Sequence, residues 1–140
     1  METAKKSSLS FKGFKISKSI ININHEKYPS NLEISFDLKG EISRTSNSFR
    51  LFVDTQISDK DELININVDT FADFNIDKEG IDEESSKNFI FTNAPAILFP
   101  YIRAYITSLT SLSGIKPIQL PLLNLSGLKD SLEKNVVFKD

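Results

Sequence analysis

The chain has 140 residues, 17 lysines and arginines against 19 aspartates and glutamates, a formal net charge of -2, and no cysteine. This length is typical of one domain, and the balanced charge gives no positive field for nucleic acid or anionic lipid. The absence of cysteine excludes disulfides and thiolate metal sites and favours a reducing cytoplasm. We therefore predict a cytoplasmic domain over residues 11–140 behind a flexible N-terminus at 1–10, with no nucleic acid partner and no membrane insertion.

Four segments in the first half of the chain alternate apolar and polar residues, and each predicts a strand with one buried face. The segments are residues 11–24, 32–38, 49–57 and 63–76. In the first of them Ile20 and Ile21 are adjacent apolar residues, which predicts either a bulge or a point where both faces of the strand are covered. Polar segments between the later strands predict hairpin turns.

Helical periodicity follows the strands. An amphipathic helix is predicted from a cap at Asn93 to a break near Gly114. A second, shorter helix is predicted after a cap at Ser126, with Leu128 on its apolar side. The final residues, VVFKD, suit either a short strand or irregular backbone. Strands followed by helices predict an α+β fold with a four-stranded antiparallel sheet, a long helix, a crossover loop and a short C-terminal helix.

An apolar segment broken by prolines joins the two helices. Residues 115–125 include six apolar side chains together with Pro117 and Pro121, so this segment cannot continue the helix. An apolar loop of this length needs a surface to pack against. Two interpretations are open from the residues alone: a cover for the domain's own sheet, or a flap over an apolar groove.

Candidate catalytic and metal-binding residues are scarce. His25 is the only histidine and lies in a predicted loop, no serine stands in a G-x-S-x-G sequence, and the five glycines form no phosphate-binding loop. We therefore predict no enzyme activity, no catalytic residue, no metal and no cofactor. The aromatic content is more informative, because 11 phenylalanines and three tyrosines suit either a core or a groove that holds unfolded segments.

The sequence ILFPYIRAYITSL followed by PIQLPLLNLSGL resembles the C-terminal half of the SecB export chaperones. Their pattern opens a helix with LFPYAR and continues into a proline-containing apolar loop. The resemblance extends less specifically over most of the chain. It implies an ATP-independent holdase that keeps preproteins unfolded for export, assembles as a tetramer made of two dimers, and passes its clients to the SecA motor.

The resemblance also implies two sets of functional residues. A client-binding groove would be lined by apolar residues of the sheet, the crossover loop and the last helix. These residues are Phe36, Leu38, Phe71, Phe74, Ile118, Leu120, Leu122, Leu128 and Leu132. Contacts between copies would be made by one strand and the long helix. These residues are Ile66, Val68, Thr70, Leu98, Ile102, Tyr105 and Leu109.

One departure from the family pattern concerns the delivery partner. SecB binds SecA partly through acidic residues on the exposed sheet face, and the positions aligned with them here are Ile20, Asn24 and Asn67. None of the three carries a negative charge, so we expect a weakened contact with SecA. The alternatives are a dedicated chaperone, for instance of an antitoxin, and an interaction or scaffold domain that is not coupled to SecA.

Overall fold

The computed structural model describes residues 9–24, 31–76, 84–121 and 125–140. Within these ranges the chain forms five strands and two helices. They are β1 (Leu9–Ile23), β2 (Glu33–Ser43), β3 (Ser48–Ser58), β4 (Ile64–Ile76), α1 (Glu84–Leu112), α2 (Leu125–Glu133) and β5 (Val136–Phe138). The predicted α+β class is confirmed, and the predicted number of strands is corrected from four to five.

The strands form a sheet in the order β1-β4-β3-β2-β5. The first four are antiparallel to their neighbours, whereas β5 is parallel to β2 and pairs with it only from Gly40 to Ile42. Hairpins join β2 to β3 and β3 to β4, and each contains one non-glycine residue with a positive φ, Asn47 and Glu62. The sheet therefore ends at β1 on one side and at the partly covered β2 on the other.

The two faces of the sheet differ because side chains alternate along each strand. The face packed against α1, here called the inner face, is apolar, and the opposite outer face is polar. The buried apolar residues of β2 to β4 on the inner face are Leu38, Ile42, Phe49, Leu51, Val53, Ile57, Ile64, Ile66, Val68, Ala72, Phe74 and Ile76. Helix α1 contributes Ile90, Leu98, Ile102 and Ile106 to the same core. Full burial of each large side chain contributes roughly 1.5–3 kcal/mol.

Helix α1 begins nine residues before the predicted cap, so the predicted start at Asn93 is wrong. Asn93 lies inside the helix, where its Nδ2 donates to the Phe89 carbonyl at 2.7 Å. The helix extends backward because Ile90 and Phe91 continue its buried stripe. No helix in the described ranges is long and apolar enough to cross a membrane.

The bulges of β1 also differ from the prediction. The register of β1 against β4 shifts between Phe11 and Gly13 and between Ile16 and Lys18, whereas Ile20 and Ile21 pair regularly. Gly13 has a φ of 131°, which a glycine adopts without steric cost. Ile20 and Ile21 therefore lie in a regularly paired part of β1 and direct their side chains to opposite faces of the sheet.

The C-terminal residues form β5 because their backbone bonds to β2. The Gly40 N–H donates to the Asn135 carbonyl at 3.1 Å, and the Lys139 N–H donates to the Ile42 carbonyl at 2.9 Å. Gly40 is required at this point, since a Cβ there would lie 2.6 Å from Cε1 of Phe49 and 3.2 Å from Cγ2 of Val136. β5 is thus held against β2 by backbone hydrogen bonds, and the absence of a side chain at Gly40 allows Val136 to lie close to β2.

The side chain of Asp140 fixes the end of β5 to the β2–β3 hairpin. Its carboxylate accepts hydrogen bonds from the Ser43 hydroxyl at 2.9 Å and from the backbone N–H groups of Arg44 and Thr45 at 2.8 and 3.2 Å. Hydrogen bonds from the side chains of Thr45 and Ser43 are the main reason that the pKa of Asp140 is lowered from 3.8 to about 2. The Asp140 carboxylate is therefore fully ionised at neutral pH.

Candidate functional site

An apolar surface remains partly exposed where the inner face reaches β2. Leu32, Ile34 and Phe36 are half-buried there, and Leu128 of α2 is half-buried against the same core. The Phe36 ring packs edge-on against Phe99 of α1, with ring centroids 5.0 Å apart and an interplanar angle of 88°. We call these four half-buried residues the β2 margin.

The segment after α1 is fixed to the helix by two threonines. Thr107 Oγ1 donates to the Ile118 carbonyl at 3.0 Å, and the Ile118 N–H donates to Thr110 Oγ1 at 2.9 Å. Ile118 and Leu120 are only 4% and 5% exposed. In this arrangement residues 115–121 cover the chain's own core, and the two threonines that hold them were not singled out by the sequence pattern.

The predicted groove residues separate into three groups. Seven lie on the inner side of the sheet: Phe36, Leu38, Phe74, Ile118, Leu120, Leu128 and Leu132. Of these seven, Phe36 and Leu128 keep substantial accessible surface. Phe71 lies on the outer face, because its β4 position is out of phase with the buried Thr70 and Ala72, and Leu122 lies outside the described residues.

The predicted contact residues between copies are mostly in the core. Ile66, Val68, Thr70, Leu98 and Ile102 are at most 2% exposed within one chain. These side chains pack in the core of the single chain, and their role in contacts between copies stays a prediction. Tyr105 and Leu109 are half-buried and retain surface.

Three carboxylates lie side by side across the outer face. The sheet register places Asp37 opposite Asp54, and Asp54 opposite Asp69. Asn67 Nδ2 donates to Asp54 Oδ1 at 2.6 Å and to Asp69 Oδ1 at 3.5 Å. Burial, followed by interaction with Asp69, raises the pKa of Asp54 above its ordinary value. We call Asp37, Asp54 and Asp69 the acidic row.

An aromatic pair lies beside the acidic row. The Phe52 and Phe71 rings are 6.2 Å apart, and the Arg50 guanidinium lies 4.5 Å from the centroid of Phe71. Arg50 also donates to both carboxylate oxygens of Asp73, at 2.7 and 3.0 Å, and this interaction raises the pKa of Arg50. A shallow depression of about 260 Å³ between Phe52 and the acidic row gives this face a local concavity.

The geometry of the described residues indicates no metal centre. Among the described residues, no group of three or more histidine, cysteine, aspartate or glutamate side chains is arranged to hold a metal ion. His25, the only histidine, lies outside the described residues. The arrangement offers apolar and charged surfaces for binding.

The model of the family described as preprotein translocase subunit SecB matches residues 9–133. The chain belongs to the SecB family. This match confirms, at the level of the family, the resemblance noted in the sequence. SecB-like proteins are chaperones.

Two curated relatives and one solved structure are similar to this SecB-family chain. It is 35% identical over 69 residues to an uncharacterized protein of Methanocaldococcus jannaschii, a match that covers 49% of this chain and 43% of the relative. It is 36% identical over 50 residues to the protein-export protein SecB of Anaplasma phagocytophilum, covering 36% of this chain and 32% of the relative. The chain thus matches less than half the length of either relative.

The solved structure is a SecB-like chaperone of Mycobacterium tuberculosis in complex with a peptide from an antitoxin. It superposes with a TM-score of 0.71 at 15% identity, covering 83% of this chain and 91% of that one. This similarity supports the SecB fold.

Two of the three positions aligned with acidic SecB residues, Ile20 and Asn67, lie close to the acidic row, whereas Asn24 lies beyond the end of β1. Ile20 on β1 is paired with Asn67 on β4, and Ile20 is 40% exposed. Asn24 Nδ2 donates to the Glu62 carbonyl at 2.9 Å. The acidic row was not predicted from the sequence. Alternation places each of its members on one face of its own strand, but only the strand order and register bring the three together.

The raised pKa of Asp54 predicts that Asp54→Asn stabilises the protein at neutral pH. The fold favours the protonated carboxyl, so ionisation lowers stability as the pH rises above the unfolded value near 3.8. Urea denaturation should show a gain of roughly 0.2–1 kcal/mol at pH 7, the scale of one cross-strand pair, and little change near pH 3. The control is Asp61→Asn in the β3–β4 turn, which removes one exposed charge away from the row. An equal effect of Asp54→Asn at both pH values would contradict this account.

Proposed function

We propose that the protein is an ATP-independent holdase that binds unfolded preproteins through the β2 margin and keeps them competent for export. The observation that carries this proposal is an apolar surface left at the β2 side of the inner face in a chain of the SecB family. Apolar burial favours any segment with exposed hydrophobic side chains, so it gives affinity without strict sequence specificity.

Unfolded proteins are the clients that fit this surface. A folded protein buries most of its large apolar side chains, whereas an unfolded chain presents them in every segment. Ile34, Phe36 and Leu128 are half-buried, so each has contact area available for a client.

Two phenylalanines on opposite faces test this location. Phe36→Ala should weaken binding of a permanently unfolded, carboxymethylated protein about tenfold, because it removes contact area worth about 1.4 kcal/mol. Phe71→Ala is the matched control, since Phe71 is also half-buried but lies on the outer face. Fluorescence anisotropy gives the affinities, suppression of client aggregation gives the activity, and circular dichroism checks the fold of each variant.

An equal loss in both variants, or unchanged affinity in Phe36→Ala, would contradict a client site at the β2 margin. A wild-type protein that leaves aggregation unchanged would contradict the holdase proposal itself and favour the interaction or scaffold alternative.

We also propose that the chain assembles as a homotetramer, a dimer of dimers. The support is apolar exposure along β1 and the adjoining side of α1. Phe14 and Tyr101 are 36% and 43% exposed, and their rings lie 4.8 Å apart, so strand and helix form one continuous patch. Ile23 adds exposed apolar surface on β1, and the half-buried Tyr105 lies one helical turn from Tyr101. Edge strands with such surfaces favour pairing with another copy.

The assembly proposal predicts the mass of the particle. Light scattering at micromolar concentration should give about four times the chain mass of 15.8 kDa. Phe14→Glu should reduce this mass, because it places a charge in the patch between copies. Val137→Glu is the control on the opposite side of the sheet, where Val137 is 57% exposed on β5. A monomeric wild type, or dissociation caused equally by both variants, would contradict the proposed surface.

Delivery of clients is a separate part of the function. We infer that SecA is engaged weakly, or that a dedicated partner replaces it, because Ile20, Asn24 and Asn67 carry no charge. The amides of Asn24 and Asn67 are also hydrogen-bonded, to the Glu62 carbonyl and to Asp54. The acidic row supplies some negative charge on this face, although the pKa of Asp54 is raised.

Restoring a charge tests this inference. Wild-type protein should bind SecA with a Kd weaker than micromolar at physiological salt, and Ile20→Asp should strengthen binding at least fivefold by attracting a basic segment. Leu112→Asp is the control, because Leu112 is 89% exposed at the end of α1 and the same charge is introduced away from the outer face of the sheet. Micromolar or tighter binding by the wild type would contradict weakened delivery to SecA.

A further inference from the structure

Arg103 of α1 has no electrostatic partner among the described residues. Its Nε is buried and makes no hydrogen bond there. No described residue forms an ion pair or a ring contact with its guanidinium either. An arginine side chain has five N–H donors and no acceptor, so only an acceptor can complete it. A buried donor without a partner lowers stability, so packing within one chain does not explain this guanidinium.

The phase of α1 places Arg103 on the side of the helix that faces β2. Residues four positions apart lie on the same side of a helix. Four residues earlier, Phe99 packs edge-on against Phe36 of β2, with ring centroids 5.0 Å apart. Four residues later, Thr107 donates to the Ile118 carbonyl at 3.0 Å. Arg103 therefore lies between the β2 margin and the segment that returns along the helix.

The end of the Arg103 side chain is directed toward the β2 margin. Long side chains of a helix point back toward its N-terminus, over the turn that precedes them. For Arg103 this is the turn of Phe99, about 6 Å away along the axis at 1.5 Å per residue. Arg103 is half-buried, and the buried atoms without a partner include its Nε but neither terminal nitrogen. The two terminal nitrogens are therefore the accessible part of the guanidinium.

The patch proposed for contacts between copies does not include this side of α1. With 3.6 residues per turn, Tyr101 and Arg103 are rotated by about 200° from one another around the helix axis. Tyr101 faces β1, where its ring lies 4.8 Å from that of Phe14. A partner for Arg103 thus belongs to the β2 side, where the proposed client surface lies.

We propose that Arg103 selects client segments that carry a carboxylate beside their apolar side chains. The proposal rests on the holdase function and specifies which segments the β2 margin prefers. A client aspartate or glutamate accepts two parallel hydrogen bonds from the terminal nitrogens, while neighbouring apolar side chains contact Phe36 and Leu128. The guanidinium charge is delocalised, so a carboxylate at its accessible end also compensates the part that is buried. Among segments of equal hydrophobicity, those with an acidic residue bind more tightly.

The two faces of the sheet then attract opposite charges. The acidic row lies on the outer face. Arg103 lies on α1, the helix that covers the inner face. An acidic client segment is therefore repelled from the outer face and attracted to the β2 margin.

Three peptides that differ in one residue test this selection. Each has nine residues, with leucine and serine at the same positions, and the central residue is aspartate, asparagine or lysine. By fluorescence anisotropy, the wild type should bind the aspartate peptide at least fivefold more tightly than the asparagine peptide, and the lysine peptide most weakly. Arg103→Gln should remove this preference and change the affinity for the asparagine peptide less than twofold.

Arg50→Gln is the matched control. Arg50 is also half-buried, but it lies on the outer face and is already paired with Asp73. This variant should keep the full preference for aspartate. Equal affinity of the wild type for the aspartate and asparagine peptides, or a preference that persists in Arg103→Gln, would overturn the proposal.

A conservative variant keeps the test decisive if Arg103→Gln does not fold by circular dichroism. Arg103→Lys retains the charge but loses the planar fork, so the preference for aspartate should fall at least twofold. An unchanged preference in folded Arg103→Lys would overturn the proposal. A smaller particle mass of Arg103→Gln in light scattering, with the preference intact, would assign the guanidinium to contacts between copies and would also overturn it.

The outcome for the holdase function is distinguishable. Equal binding of the aspartate and asparagine peptides, with an intact effect of Phe36→Ala on unfolded protein, would remove the selection by Arg103 alone. Failure of the wild type to bind unfolded protein would remove the holdase proposal as well.

Discussion

One helix is too narrow to cover the inner face of this sheet, and the candidate surfaces follow from that mismatch. An α-helix with its side chains is about 10–12 Å wide, whereas five strands span about 19 Å. The inner-face side chains of the central strands β3 and β4 are accordingly buried throughout. Those of β1 after Leu9, and those of β2 up to Phe36, are half-buried or exposed. The apolar surface left over lies at the two sides of the sheet.

The two sides are completed differently. Beside β2, the segment fixed by Thr107 and Thr110 leads to α2, and β5 then pairs with the second half of the strand. The first half of β2 keeps both an apolar margin and unpaired backbone groups within the described residues. Beside β1, Phe14 and Tyr101 form an aromatic contact with much of its surface accessible. A single chain thus keeps accessible apolar surface at both sides of the sheet.

The sequence predicted those features that depend on local periodicity. Strict alternation in LEISFDLK identified β2 and its buried face, and the spacing in ILFPYIRAYITSL identified the core of α1. β5 was not predictable in this way, because three residues pair with a strand more than ninety positions earlier and local pattern contains no information on that partner. The acidic row likewise depends on the register of three strands.

At Phe71 the residue type and the phase of the strand point to different faces of the sheet. Ile64, Ile66 and Val68 occupy even positions of β4, and the odd position of Phe71 places it on the opposite face. Its assignment to the groove followed from aromatic character and family resemblance. The same approach assigned Leu98 and Ile102 to contacts between copies, although a helix that must close a broad sheet directs its most apolar stripe inward.

The acidic row is the feature of the outer face that packing does not explain. Like charges directly opposite each other on neighbouring strands destabilise a sheet, and the raised pKa of Asp54 shows that the fold disfavours its ionised form. Asn67 donates to two members of the row and offsets part of this cost. Neutral polar residues would fit these positions without the repulsion between like charges. Clusters that lower stability in this way concentrate at functional sites. The outer face therefore carries a charged cluster, the inner face leaves apolar surface at its sides, and the thickness of one sheet separates the two.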